Sequence, residues 1–370
     1  MPDKSALQQK LEELQKDYSK TKYNKATNKY LGALRAKIAK IKKSMAEKKG
    51  RGGTGFSVKK TGDATVVLVG FPNAGKSSLL TAITNAESRV AAYAFTTLEA
   101  IPGTLIYNGA KIQIVDLPGL VEGAHEGKGG GAKIASVIRT ADLLLFIVDI
   151  NTPDLLHKLV EELNELDIRP NREKPRIRIE RRTTGGITID SNKHNIPEKR
   201  NLVEVLNDFS IYNGNIIFYE DADLNDVVDV LSEGVAYIRG VVALNKVDTV
   251  EPAYATRMSQ EIGRITGMKV VNISVLQNIR LDELKETLFR ALELNRVYLK
   301  PRDGMADREN PMILRSGSTI MDVARHVHSK TARDVRYAYV TGRSAKFAGQ
   351  KVGTEHVIMD EDEVTLIYLK

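Results

Sequence analysis

At 370 residues the chain has room for two or three domains, and 42% apolar content is enough for a sizeable core. It has no cysteine, which excludes disulfides and thiolate metal sites, and no apolar run near the roughly 20 residues that a membrane helix needs. The +8 formal charge is unevenly placed: residues 1–50 hold 13 Lys and one Arg against five acids, more than the net charge of the whole chain, so this segment is where a polyanion would dock.

The elements follow in chain order. Residues 1–60 read as a basic helical region. Leu7, Leu11, Leu14 and Tyr18 fall on one helical stripe and Leu31, Leu34, Ile38, Ile41 and Met45 on a second, and Gly50-Arg51-Gly52-Gly53-Thr54-Gly55 ends the pattern as a linker. Met1-Pro2-Asp3-Lys4 opens a charged helix and not a secretory signal, so a soluble, cytoplasmic protein with no membrane partner is expected. Residues 61–170 alternate strands and helices, with buried runs at Ala64–Val69, Ile112–Val115 and Leu143–Val148 and a helix over Leu155–Leu166. Residues 171–239 interrupt this alternation. Pro175–Glu180 reads as a strand and Thr184–Ile189 as its hairpin return, behind the basic cluster Arg172, Lys174, Arg176, Arg178, Arg181 and Arg182. The alternation resumes over 240–296 with strands at Val241–Leu244 and Val270–Ile273 and a helix over Leu281–Leu292. Residues 297–370 carry short strands and one helix, which fits a small β-grasp-like domain. The fold class is therefore α/β: a doubly wound, mostly parallel sheet, with N-terminal helices, an inserted α+β subdomain and a C-terminal β-grasp.

The chemistry sits at the ends of the buried strands. Gly70-Phe71-Pro72-Asn73-Ala74-Gly75-Lys76-Ser77 is G-x-x-x-x-G-K-S between a strand and a helix, the context of a phosphate-binding P-loop. Asn73, Ala74, Gly75, Lys76, Ser77 and Ser78 are the expected phosphate-binding residues. Lys76 would reach the β- and γ-phosphates and Ser77 would ligate Mg²⁺. Asp116-Leu117-Pro118-Gly119 ends the next strand: Asp116 would hold Mg²⁺ through water, and the Gly119 N–H would reach the γ-phosphate. Asn245-Lys246-Val247-Asp248 selects the base, because Asp248 accepts the two N–H groups of the guanine edge, which adenine does not offer. Asn245 ties the loop together and the Lys246 stem lies along the ring. Ser274 and Val275 end the following strand and would present backbone N–H groups to the guanine oxygen. Between P-loop and Asp116 lie Thr96 and Thr97, either of which would close over Mg²⁺ and the γ-phosphate as a switch.

These motifs in this order, with Phe-Pro-Asn-Ala-Gly-Lys-Ser-Ser, Phe-Thr-Thr-Leu and Asp-Leu-Pro-Gly-Leu-Val-Glu-Gly-Ala, resemble the Obg family of GTPases, and within it the DRG (developmentally regulated GTP-binding protein) subfamily. The resemblance covers nearly the whole chain. It implies GTP hydrolysis, an insertion similar to ribosomal-protein-S5 domain 2, a C-terminal TGS domain, association with ribosomes or rRNA, and a dedicated stabilising protein partner. It favours Thr97 over Thr96. Leu120 stands where Ras-like proteins carry a water-orienting Gln. The resemblance offers Asn73 in its place, as a ligand of a K⁺ beside the phosphates, while the plainer reading of Asn73 is a residue that tolerates a tight turn. Lys76, Thr97, Gly119 and Asn73 are thus the expected catalytic residues, GTP or GDP, Mg²⁺ and K⁺ the cofactors, and no DNA partner is expected. His125 reads as a surface histidine. The competing readings are another P-loop NTPase, or an RNA-binding scaffold with a regulatory G domain.

Overall fold

The computed structural model describes residues 4–21, 27–47, 62–84, 101–117, 130–232, 234–329 and 332–368. The chain forms two compact units, Met1–Gly55 with Arg172–Tyr237, and Phe56–Asn171 with Ile238–Lys370. Elements are numbered along the whole chain.

The second unit holds the long sheet. Its strands are β1 (Ala64–Val69), β2 (Ile101–Tyr107), β3 (Ala110–Asp116), β4 (Leu143–Asp149), β5 (Ile168–Pro170), β9 (Ala236–Asn245) and β10 (Lys269–Asn272), in the order β10-β9-β4-β1-β3-β2 with β5 paired to β9. Strand β2 runs antiparallel to β3, and the pairs β3–β1–β4–β9–β10 are all parallel. The central strands β1 and β4 are buried along almost their whole length, so they read as nearly continuous apolar runs. The one hairpin in the sheet turns at Asn108-Gly109, both at positive φ (50° and 79°), as a two-residue turn with matching twist demands. Helices α3 (Lys76–Ile83), α4 (Gly130–Ile138), α5 (Leu155–Glu165), α8 (Pro252–Thr266) and α9 (Leu281–Ala291) complete this part. Leu79, Leu80 and Ile83 of α3 and Leu284 and Leu288 of α9 share one core with Val66, Leu68, Ile112, Ile114 and Leu145.

The C-terminal part of this unit is a five-stranded sheet: β11 (Leu294–Leu299), β12 (Met312–Arg315), β13 (Val335–Thr341), β14 (Gln350–Val352) and β15 (Asp362–Tyr368), ordered β12-β11-β15-β13-β14, with α10 (Ile320–Val327) against it. Strand β11 begins three residues before the expected domain boundary. Ile313 of β12 joins the core under the long sheet, and Arg315 forms an ion pair with Asp142, whose other oxygen accepts from the Thr65 N–H at the start of β1.

The first unit joins α1 (Lys4–Lys20) and α2 (Asn28–Glu47) to the insertion: β6 (Ile177–Arg181), β7 (Ile187–Ser191), α6 (Lys199–Asp208), β8 (Gly214–Phe218) and α7 (Leu224–Leu231). The hairpin expected from 175–189 does not form. Strands β6 and β7 both pair with β8, one antiparallel and one parallel, giving the order β6-β8-β7. The burial patterns give the reason. Strand β8, Gly214-Asn215-Ile216-Ile217-Phe218, is buried at four of five positions and takes the centre, whereas β6 and β7 keep exposed residues and take the edges. Ala36 of α2 lies in one cluster with Leu202, Val205, Ile216, Phe218, Val227 and Val228. The N-terminal stripe Leu31, Leu34, Ile38 and Ile41 is therefore buried core of this unit and not a free tail. Among the described residues no helix is long and apolar enough to cross a membrane.

Candidate nucleotide site

The P-loop turns between β1 and α3. Gly75 caps α3 with φ 103°, and Asn73 has φ 64°, a conformation that Asn tolerates better than most side chains. A side chain at Gly75 would collide with the Asn245 amide and with nothing else nearby, so glycine is required there by packing as well as by backbone conformation. The Lys76 ammonium donates to the carbonyls of Gly70 (2.8 Å) and Phe71 (3.1 Å), which folds it over the mouth of the loop.

Asn245 is the joint of the site. It is 3% exposed; its Nδ2 donates to the Ala74 carbonyl at 2.8 Å and its Oδ1 accepts from the Val275 N–H at 3.2 Å. One side chain thus fixes the phosphate loop to the loop after β10. A cleft of about 690 Å³ opens between them, lined by Asn73, Gly75, Ser78, Lys246, Asp248 and Leu276 among others. Asp248 is exposed at this cleft and has no hydrogen bond or ion pair among the described residues, so both its oxygens can accept from a ligand. Of the backbone donors expected from the last loop, the Ser274 N–H donates to the Ile279 carbonyl and that of Val275 to Asn245, while Leu276, 82% exposed, keeps an N–H without a partner among the described residues.

The Mg²⁺ expectation is tested by Asp116. Its carboxylate is 4% exposed; Oδ2 accepts from Ser77 Oγ at 3.2 Å, and Oδ1 is buried with no hydrogen-bond partner. Burial pushes this carboxyl above the usual range, only partly offset by Lys76 and Ser77. A hydroxyl and an unsatisfied carboxylate oxygen side by side suit a hard cation with water between. Among the described residues there is no cluster of His, Asp and Glu of the kind that cages other metals. Thr96, Thr97, Gly119, Leu120 and His125 lie outside the described residues. The Asn73 side chain is exposed and makes no hydrogen bond among the described residues, which accommodates both readings of it.

The structure adds residues that the motifs did not point to. Asp149 ends β4 directly across from Asn245 in the register, and its Oδ2 meets Lys246 Nζ at 2.6 Å. Its Oδ1 accepts from the Asn151 N–H and Nδ2, both at 2.9 Å. Burial raises the Asp149 carboxyl, but the hydrogen bonds from Lys246 and Asn151 outweigh it and hold it below the usual range. The pair is accordingly intact above the ordinary carboxylate range and is lost as pH falls through the depressed value. Of the basic cluster in the insertion, Arg172 pairs with Asp226, Arg176 with Glu220 and Arg178 with Glu180, at 2.8–2.9 Å, while Arg181 and Arg182 are exposed and form no ion pair among the described residues.

A family model described as "50S ribosome-binding GTPase" matches residues 65–182, one described as "C-terminal region of MMR_HSR1 domain" matches 184–294, and the TGS domain matches 295–368. Among curated relatives, an uncharacterized GTP-binding protein of Methanocaldococcus jannaschii is 40% identical over 368 residues, 99% of this chain and 94% of that one. The developmentally-regulated GTP-binding protein 2 homolog of Dictyostelium discoideum is 35% identical (97% and 98% of the two chains), and developmentally-regulated G-protein 2 of Arabidopsis thaliana 37% identical (98% and 91%).

Proposed function

This chain belongs to the DRG GTP-binding proteins of the Obg family, and from that premise we propose that it hydrolyses GTP and works as a nucleotide-dependent switch on ribosomes. The observation that carries hydrolysis is the pairing of Ser77 with a half-satisfied, buried Asp116 beside Lys76. Water attacks the γ-phosphorus, the bond to the β-bridging oxygen breaks, and GDP, phosphate and a proton leave. Lys76 neutralises phosphate charge from the loop side, Asn245 holds the loop in register with the base, and Asp248 selects guanine. Ser77 and Asp116 would hold Mg²⁺, which when bound contributes positive charge against the phosphate oxygens. Thr97 and the Gly119 N–H complete the switch in this reading. With Leu120 unable to orient water, Asn73 would hold a K⁺ that supplies positive charge beside the phosphates.

One experiment tests this. Phosphate release from GTP is measured in KCl and in NaCl for the wild type, Lys76→Ala and Asn73→Ala. We expect turnover in the wild type, faster in KCl, loss of turnover with Lys76→Ala, and loss of the KCl advantage with Asn73→Ala. No turnover above Lys76→Ala would end the hydrolase reading, and equal wild-type rates in the two salts would end the K⁺ role. Ribosomal RNA is the partner we favour, on the strength of the basic N-terminal segment and the family description. The half-buried stripe of α1 (Leu7, Leu11, Leu14, Tyr18) leaves apolar surface for a stabilising protein.

A further inference from the structure

We infer that Asp149, with Asn151, is a positioning residue for guanine selectivity that acts through Lys246. The Asn245-to-Asp248 turn is held in an unusual shape: Lys246 sits at φ 64°, ψ 32°, and Val247–Thr249 form a single 3₁₀ turn. A left-handed lysine costs energy and persists only where its surroundings hold it. The surroundings here are a closed circuit of hydrogen bonds. Asp149 Oδ2 takes the Lys246 ammonium. Asp149 Oδ1 takes Asn151, whose Nδ2 also donates to Thr249 Oγ1 at 3.2 Å. Thr249 Oγ1 then donates to the Lys246 carbonyl at 2.8 Å, which returns the circuit to its start. The Ile150 N–H donates to the Asn245 carbonyl at 3.0 Å, so the ends of β4 and β9 are joined through backbone as well.

Asp248 lies within this turn and its side chain makes no hydrogen bond or ion pair among the described residues. Its aim at the base is therefore set by the turn it sits on, and the turn is set from β4. The Lys246 ammonium is held by Asp149, and Lys246 lines the base cleft, while Lys76 is the cation at the mouth of the P-loop. Asp149 touches no part of a bound base in this account. It fixes two groups that do.

The test compares affinities for GDP and inosine diphosphate, which lacks only the exocyclic amine that Asp248 reads. Wild type, Asp149→Asn, Lys246→Met and the Asp149→Asn/Lys246→Met double variant are measured as full chains. Asp149→Asn is isosteric and keeps the strand end packed. We expect it to weaken GDP about tenfold, or about 1.4 kcal/mol, and inosine diphosphate by much less, so that discrimination shrinks. The double variant should bind no more weakly than Lys246→Met alone, because Asp149→Asn keeps an oxygen for Asn151 and removes only the charge that the lysine meets. GDP affinity of Asp149→Asn within twofold of wild type would overturn the inference. So would an equal loss for both nucleotides, the mark of a merely structural role, or a double variant that sums two independent losses.

Discussion

Asn245 is a single buried side chain that couples phosphate recognition to base recognition, and its removal separates the two. Asn245→Ala strands the Ala74 carbonyl in a buried setting, at about 1–3 kcal/mol, and frees the part-buried Val275 N–H beside the cleft. We expect a tenfold or greater loss of GDP affinity by calorimetric titration; unchanged affinity would show that the two loops hold each other without it. Residues of this kind were legible because their chemistry is local: G-x-x-x-x-G-K-S and Asn-Lys-x-Asp each sit within one loop at a strand's end. Asp149 was not legible in the same way. Its role depends on the pairing of β4 with β9, which places it across from a residue 96 positions later, and in the sequence it is only an acid that ends an apolar run. The Ser274 and Val275 donors show the converse: their loop was found, but the assignment of individual N–H groups needed the hydrogen bonds themselves.

At the scale of elements, alternation announces a strand but not its partner. Residues 177–181 and 187–191 have the period and the spacing of a hairpin, yet the more apolar β8 displaces that pairing. Strand β11 has no signature of its own start in the sequence, because it follows α9 with no turn signal between them. The N-terminal helices were legible as amphipathic stripes, but what buries α2 lies in the insertion. Arg35 of α2, 13% exposed at its side chain, pairs with Asp229 of α7, 1% exposed, and also donates to the Asn225 carbonyl at 3.4 Å. Taking away one partner of a buried ion pair costs about 3–5 kcal/mol. Arg35→Met should therefore move the urea midpoint of this unit down markedly, and Arg35→Met/Asp229→Leu should recover most of the loss. An unchanged midpoint for Arg35→Met would mean that the ion pair does not fasten α2.

For the whole molecule, the charge asymmetry and the packing of α2 decide how RNA contact is to be probed. Deleting residues 1–50 would remove Leu31, Leu34, Ala36 and Ile38 from a core, so any lost binding would report unfolding. Charge reversal at the exposed Lys10, Lys20 and Lys37 leaves that core in place. If ribosomal RNA lies along these helices, the triple variant co-sediments with ribosomes more weakly and with a shallower dependence on KCl, by up to roughly 0.7 in the log–log slope per lysine. Unaltered retention and slope would place the contact elsewhere. The paired arginines of the insertion predict little from equivalent changes there.

The packing of α2 also sets a timetable. Arg35 and Asp229 are 194 residues apart, and all of β1 to β8 is made between them. At roughly 5–20 residues per second of synthesis, the apolar stripe of α2 waits about 10–40 s before its cover exists. A nascent chain thus carries a finished but uncovered helix through about half of its own production, and helices α6 and α7 of the insertion determine when α2 becomes protected.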